Sequence, residues 1–226
     1  MSYKNIKFSA SILYANWLDL GNQLNELIKN QVDFIHFDVT DGKYVSDFTL
    51  GSQIINSIKQ ASNLKNHYHL MVEEPMRFFK NFDLNKNDVF TIHQETSKNL
   101  HKNLIEIKKK CKVSVALAPT TPIEHLEYII DEIDNVLILT VNPGYMSEKM
   151  IPQIIKKIDK LKNLIKDNSL DISITVDGNV SIKTIPDFIQ AGADTLVLDS
   201  SGLFIESKSI SNCMDEIKES IDKVKF

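Results

Sequence analysis

Eight short apolar runs rich in β-branched residues recur along the 226 residues, each followed by a stretch with helical spacing. No other feature narrows the fold as much. The runs are Phe8–Leu13, Phe34–Val39, His67–Val72, Val89–His93, Val113–Ala118, Val136–Val141, Ile172–Val176 and Thr195–Leu198. Between them the apolar positions change period, as in Trp17, Leu18, Leu20, Leu24, Leu27, Ile28 and in Ile151, Ile154, Ile155, Ile158, Leu161, Leu164, Ile165. Helices or helical turns are also expected near Ile54–Ile58, Pro75–Lys80, Leu100–Lys110, Ile123–Ile130, Ile182–Gln190 and Ile210–Val224. Alternation of this kind implies a parallel sheet covered by helices. The units fill the chain and leave no linker, so residues 1–226 are expected to form one domain.

Eight units admit an open doubly wound sheet or a closed (β/α)8 barrel, and the polar residues separate the two. His36, Asp38, His69, His93, Asn142 and Asp177 fall at the ends of five different runs. In a barrel those ends converge on one face, where active sites lie. An open sheet calls for a glycine-rich phosphate turn after its first strand. The first turn here is Ser11-Ile12-Leu13-Tyr14-Ala15-Asn16, without glycine. A single TIM barrel in the α/β class is therefore predicted.

His36 and Asp38 are two apart, which on a strand puts both side chains on one face. With His69 and Asp177 they make a His₂Asp₂ set suited to one divalent ion, Zn²⁺, Fe²⁺, Co²⁺ or Mn²⁺. A lone histidine in a strand is usually a packed one, and His67, one pleat below His69, is read so; His93 is expected to line the pocket. A net charge of −4 gives no footprint for nucleic acid or an anionic membrane, so neither is an expected partner. The basic run Lys108-Lys109-Lys110-Cys111-Lys112 closes a helix, where cations favour the dipole. Cys111 and Cys213 form no spaced motif, and the first residues lack an apolar signal core. A cytoplasmic protein with reduced thiols is expected, as a monomer or a homo-oligomer.

Taken in order, several segments resemble the ribulose-phosphate 3-epimerase family. They are Ser11-Ile12-Leu13, Ile35-His36-Phe37-Asp38-Val39 with Asp41-Gly42, His69-Leu70-Met71-Val72, Thr121-Pro122, Val141-Asn142-Pro143-Gly144 and Val176-Asp177-Gly178. The resemblance runs from the first strand to the eighth. It implies a TIM barrel, a bound divalent metal, and epimerisation at C3 of a ketose phosphate such as ribulose 5-phosphate, through a metal-stabilised cis-enediolate. Carried across by position, it makes His36, Asp38, His69 and Asp177 the metal ligands and Asp38 and Asp177 the paired acid and base. Substrate contacts implied are Ser11, His69 and Met71, with Gly144, Tyr145, Met146, Ser147, Gly178, Asn179, Ser200 and Ser201 towards the phosphate. Of three methionines the family places under the intermediate, this chain keeps Met71 and has Thr40 and Leu139 at the others.

The phosphate end departs from the pattern. Met146 and Ser147 replace a usual glycine pair, Asn179 replaces a second glycine, and Asp199 precedes Ser200. A carboxylate a few ångströms from a phosphate dianion repels it by roughly 1–4 kcal/mol. Ser201-Gly202-Leu203-Phe204 looks more like the hexulose (allulose 6-phosphate) 3-epimerase branch, which is kept as an alternative substrate class. A lyase on a related barrel would want Asp-x-Lys where this chain has Asp38-Val39-Thr40. A non-catalytic sugar-phosphate binder would have no use for two intact bases.

Overall fold

The computed structural model describes residues 6–144 and 148–224. Its strands are β1 Lys7–Ser11, β2 Phe34–Thr40, β3 Lys65–Met71, β4 Val89–His93, β5 Lys112–Leu117, β6 Asn135–Leu139, β7 Ser173–Asp177 and β8 Thr195–Leu198. Each pairs in parallel with the next, and β8 pairs back on to β1, closing the predicted barrel. The covering helices are α1 Leu20–Lys29, α2 Ser52–Ala61, α3 Met76–Phe79, α4 Leu100–Lys108, α5 Ile154–Asp167, α6 Ile185–Ala191 and α7 Ile210–Asp222. α5 shows why they bind the sheet: Ile154, Ile158, Leu161 and Ile165 recur at helical spacing and are all buried.

One of the expected helices or helical turns takes the tighter form. Ile123–Ile130 contains the 3₁₀ turn Ile123–Leu126, and a second turn, Ile130–Glu132, follows. The buried residues Ile123, Leu126 and Ile129 are three apart, the period of a 3₁₀ coil rather than of an α-helix. The fifth crossover therefore carries no α-helix.

The two faces of the barrel wall differ in chemistry. Outward residues such as Ile35, Phe37, Tyr68, Leu70, Phe90, Ile92, Val113, Val115, Val136, Ile138, Ile174 and Val176 merge with the helices into one core. The lumen is largely polar: Ser9, His36, His67, Thr91, Ser114, Asn135 and Thr175 are all buried. Among the described residues, Ala116, Leu137 and Leu139 form a small apolar cluster there. Several of the lumen groups bond to one another, as in His67 Nε2 with Thr91 Oγ1 (2.8 Å), Ser114 to Asn135 (2.8 Å) and Asn135 to Thr175 (2.8 Å).

Four aspartates finish the end of the barrel where the strands begin. Asp33, Asp88, Asp134 and Asp194 each stand one residue before an even-numbered strand. Each carboxylate accepts a backbone N–H near the start of the preceding odd strand, from Phe8 (2.9 Å), Asn66 (3.3 Å), Val113 (2.7 Å) and Ile174 (2.8 Å). Phe34, Val89, Asn135 and Thr195, the residues that follow, pair with Ser9, His67, Ser114 and Thr175. The same clasp thus sets the same register in all four quarters of the barrel. Asp88 is fully buried and also accepts from Lys59 Nζ (2.7 Å).

Removing one partner of a buried ion pair leaves the other charge without compensation. Asp88→Ala should therefore lower stability by about 3–5 kcal/mol, and Asp134→Ala, which loses a charge-assisted hydrogen bond, by about 1.5–3 kcal/mol. Equilibrium denaturation of both variants checks this; equal losses would refute the ranking.

Candidate active site

Alternation along β2 sends His36 and Asp38 into the lumen at its C-terminal end, next to His69 of β3. Asp177 closes β7 and reaches the same point from across the mouth. His36 Nε2 lies 3.3 Å from Asp38 Oδ1 and 3.6 Å from Asp177 Oδ2. His69 Nδ1 lies 3.3 Å and 3.1 Å from the same two oxygens. One donor atom from each residue fits within 4.8 Å of all the others. Four ligands arranged tetrahedrally at about 2.0–2.2 Å from Zn²⁺ stand about 3.3–3.6 Å apart, close to these spacings.

The chemistry of the four groups points the same way. Both ring nitrogens of His36 are buried without a hydrogen-bond partner, since Nε2 is near the carboxylates but misaligned for bonding to them. A buried imidazole aimed at two carboxylate oxygens is what a shared cation would satisfy. Burial opposes charge on Asp38, yet His36 and His69 hold its carboxyl well below the usual range. Burial likewise opposes protonation of His69, but bonds and charges from Asp177 and Asp38 carry it up to about 9. The carboxylates draw positive charge into the cluster, and a divalent ion would supply it. Ser11 donates its hydroxyl to the other Asp38 oxygen, Oδ2, at 2.6 Å.

Above the cluster opens a cavity lined by Ser11, Asp38, Met71, Gly144, Asp177, Gly178 and Asn179 from the predicted set. Thr40 and Leu139, at the two positions without methionine, line it as well. His69 is fully buried beneath it, and His93 likewise is buried rather than pocket-lining, so a direct substrate contact by either is not what the geometry offers. Ser200 and Ser201 also lie outside the lining, and Asp199 takes that wall instead. Tyr145, Met146 and Ser147 lie outside the described residues.

Two glycines shape the rim. Gly178 has φ of 101°, and a Cβ there would come within 2.6 Å of Val141 Cγ2. Gly144, with φ of 80°, packs directly against the side chain of Val45, so the loops after β2 and β6 touch across the mouth.

Asp199, noted in the sequence as a departure, belongs to the site, and so do Tyr14 and Glu95, which the sequence reading did not single out. Asp199 accepts the N–H of Ser201 on Oδ1 at 2.6 Å, while the N–H groups of Gly202, Leu203 and Phe204 go to its carbonyl. Burial raises its carboxyl to about 6, helped by Asp177 and Asp38 and opposed by Ser201. Tyr14 lines the cavity, and burial with the nearby carboxylates pushes its phenol up, so it faces substrate neutral. Glu95 sits behind His93 with its Oε2 3.0 Å from Nδ1. An acid two residues after a strand-end histidine is the only sign of it in the sequence.

Comparison with known proteins agrees with the geometry. Residues 7–204 match the model of the ribulose-phosphate 3 epimerase family. "Ribulose-phosphate 3-epimerase" of Bacillus subtilis is 37% identical over 198 residues, covering 87% of this chain and 91% of the relative. Its namesake from Methanocaldococcus jannaschii is 36% identical over 96% of this chain and 94% of its own. The Escherichia coli K12 protein of that name is 30% identical over 98% of both. Among solved structures, 3-hexulose-6-phosphate synthase from Salmonella typhimurium covers 96% of this chain and 98% of its own at a TM-score of 0.63. At 14% identity it supports the fold alone.

Titration of metal-free protein with Zn²⁺ or Co²⁺ should saturate at one ion per chain. At free ion a hundred times the dissociation constant, the ion should add about 2.7 kcal/mol of stability. His36→Ala should remove both effects, as read by calorimetric titration and thermal unfolding. Full binding by that variant would exclude the quartet as the site.

Proposed function

The chain belongs to the ribulose-phosphate 3-epimerase family, and we propose that it is a divalent-metal-dependent 3-epimerase of ketose phosphates of the ribulose 5-phosphate and xylulose 5-phosphate type. The observation that carries this reading is the meeting of His36, Asp38, His69 and Asp177 at the C-terminal mouth of the barrel. A cytoplasmic location fits the two free, buried thiols Cys111 and Cys213, and among the described residues no helix is long and apolar enough to cross a membrane.

Inverting a carbon beside a ketone requires a proton to leave one face and another to arrive on the opposite face. A carboxylate alone is too weak a base for such a C–H. A divalent cation held by the quartet would supply positive charge against the negative charge that builds on the substrate oxygens. Asp38 and Asp177 rise from β2 and β7, separated around the barrel by β1 and β8, and both line the cavity. A substrate carbon between them meets one carboxyl group on each side. In one direction Asp38 takes the C3 proton and a protonated Asp177 delivers one; in the other the roles exchange. The Ser11 hydroxyl, which also lines the cavity, donates to Asp38 Oδ2 and fixes the orientation of that carboxyl group. Met71, Leu139 and Val141 give the walls an apolar character that keeps water from competing for the transferred proton.

The far end of the cavity bears on which ketose fits. Asp47, Glu148 and Asp199 line the cavity along with Asn179, and no lysine or arginine does so among the described residues. The phosphate would rest on backbone and side-chain donors of the loops after β6, β7 and β8. Asp199 opposes it, and this favours keeping the longer hexulose phosphate as a second reading, because a longer chain sets its phosphate elsewhere.

In D₂O, the protein should wash deuterium into C3 of its substrate, and Asp38→Asn or Asp177→Asn should lower turnover by about a hundredfold to ten-thousandfold, in line with loss of an acid–base group. Near-full turnover by Asp177→Asn would overturn the two-base reading. Asp199→Asn should lower KM for ribulose 5-phosphate about fivefold or more, the equivalent of about 1 kcal/mol, and leave KM for unphosphorylated ribulose unchanged. Equal gains for both sugars would show that Asp199 does not face the phosphate.

A further inference from the structure

The histidine ligand on β3 has two ring nitrogens, and only one of them can serve a cation. His69 Nδ1 is the atom turned towards Asp38 and Asp177, so it must present a lone pair. The ring proton then belongs on Nε2. That nitrogen faces His93 Nε2 at 2.9 Å. Two imidazole nitrogens this close need one proton between them, so His93 Nε2 must accept and the His93 proton must sit on Nδ1. Nδ1 of His93 in turn faces Glu95 Oε2 at 3.0 Å, with the Tyr44 hydroxyl at 3.2 Å from the same atom.

Each assignment forces the next, and the series ends in a fixed acceptor. The other Glu95 oxygen accepts the N–H of Ala118 at 2.8 Å and the hydroxyl of Thr121. The carboxylate is thereby tied to the loop after β5, and it offers only lone pairs to His93. The two imidazole planes are 20° apart with centroids 5.1 Å apart. That separation, with nitrogens at 2.9 Å, describes rings bonded end to end rather than stacked face to face. Both histidines are fully buried, so no water competes for their protons.

We propose that His93 and Glu95 are positioning residues that act through His69: Glu95 fixes the proton of His93 on Nδ1, His93 fixes that of His69 on Nε2, and His69 is left with its Nδ1 lone pair facing the divalent ion. The inference rests on the metal reading of the quartet given above. A carboxylate behind a ligating imidazole orients the ring and raises its basicity, and losing it typically costs 10–100-fold in metal affinity. Here the carboxylate acts one imidazole further away, from the turn that follows β4.

The plain alternative is that Glu95 only pins the β5 loop. Glu95→Gln separates the two, because a Gln oxygen still accepts from Ala118 and Thr121, while its amide can push the His93 proton to the wrong nitrogen. Competition with a chelator should show Zn²⁺ bound about 10–100-fold more weakly by Glu95→Gln than by the parent, with a shifted Co²⁺ absorption spectrum and an unchanged unfolding temperature for the metal-free protein. Zinc affinity within threefold of the parent, with the same cobalt spectrum, would overturn the proposal. Nitrogen-15 spectra of the zinc-loaded parent, labelled at histidine, read the tautomers without any substitution. They should find His69 protonated on Nε2 and His93 on Nδ1, and the opposite pair would refute the relay. A parent that takes up no zinc would sink the metal reading itself, whereas a parent that binds zinc with an indifferent Glu95 sinks only this inference.

Discussion

Two carboxylates, Asp38 and Asp177, stand in a largely buried cluster with two imidazoles, and the structure around them is organised by the need for positive charge between them. Charges taken out of water are costly unless they are paired. His69 answers part of that need, and its raised proton affinity measures how strongly the carboxylates pull. His36 stands beside both carboxylates, yet its buried nitrogens are aligned with no hydrogen-bond acceptor. A cation shared by all four satisfies both histidines and both carboxylates together, which no distribution of protons among them does as well.

This demand explains the unusual division of the barrel wall. The folding core lies outside the barrel, between strand and helix, where Ile35, Phe37, Leu70 and Ile92 meet the helices. The lumen is thereby released from supplying most of the apolar burial and can hold serine, threonine, asparagine and histidine in mutual hydrogen bonds. A polar interior of this kind holds its side chains by direction as well as by volume, since each bond has an angle to keep. The aspartate clasps at one end fix strand register, and register in turn sets which residues of β2, β3 and β7 come level at the other. A slip of one residue in β2 would turn His36 and Asp38 out into the helix layer.

What could be read from the chain follows the same division. The barrel and the quartet were legible because their signals are local: β-branched runs for the wall, and a two-residue spacing that puts His36 and Asp38 on one face. The four clasps escaped because an aspartate before an apolar run looks like an ordinary turn residue, and only strand pairing shows that Asp33, Asp88, Asp134 and Asp194 do the same work. The 3₁₀ turn at Ile123–Leu126 was written in the three-residue spacing of its apolar side chains, a period easily merged with that of an α-helix. His93 was expected at the pocket wall and lies behind His69 instead. Depth along a strand depends on barrel stagger, which no single strand reveals.

On the metal reading, the site also divides into a half that coordination would fix and a half held by hydrogen bonds, and these tolerate change differently. A ligand set has one geometry, and loss of any member leaves the others charged or orphaned in a buried place. The far end of the cavity has no such requirement. Asp199 lines it and takes up the Ser201 N–H by itself, so the loop after β8 folds around an internal carboxylate where a substrate anion would otherwise be the acceptor. The proposed acid–base pair, Asp38 and Asp177, stands on β2 and β7 rather than on that loop. A chain built this way can keep the proton chemistry of its relatives while the charge at the tail of its substrate is selected separately.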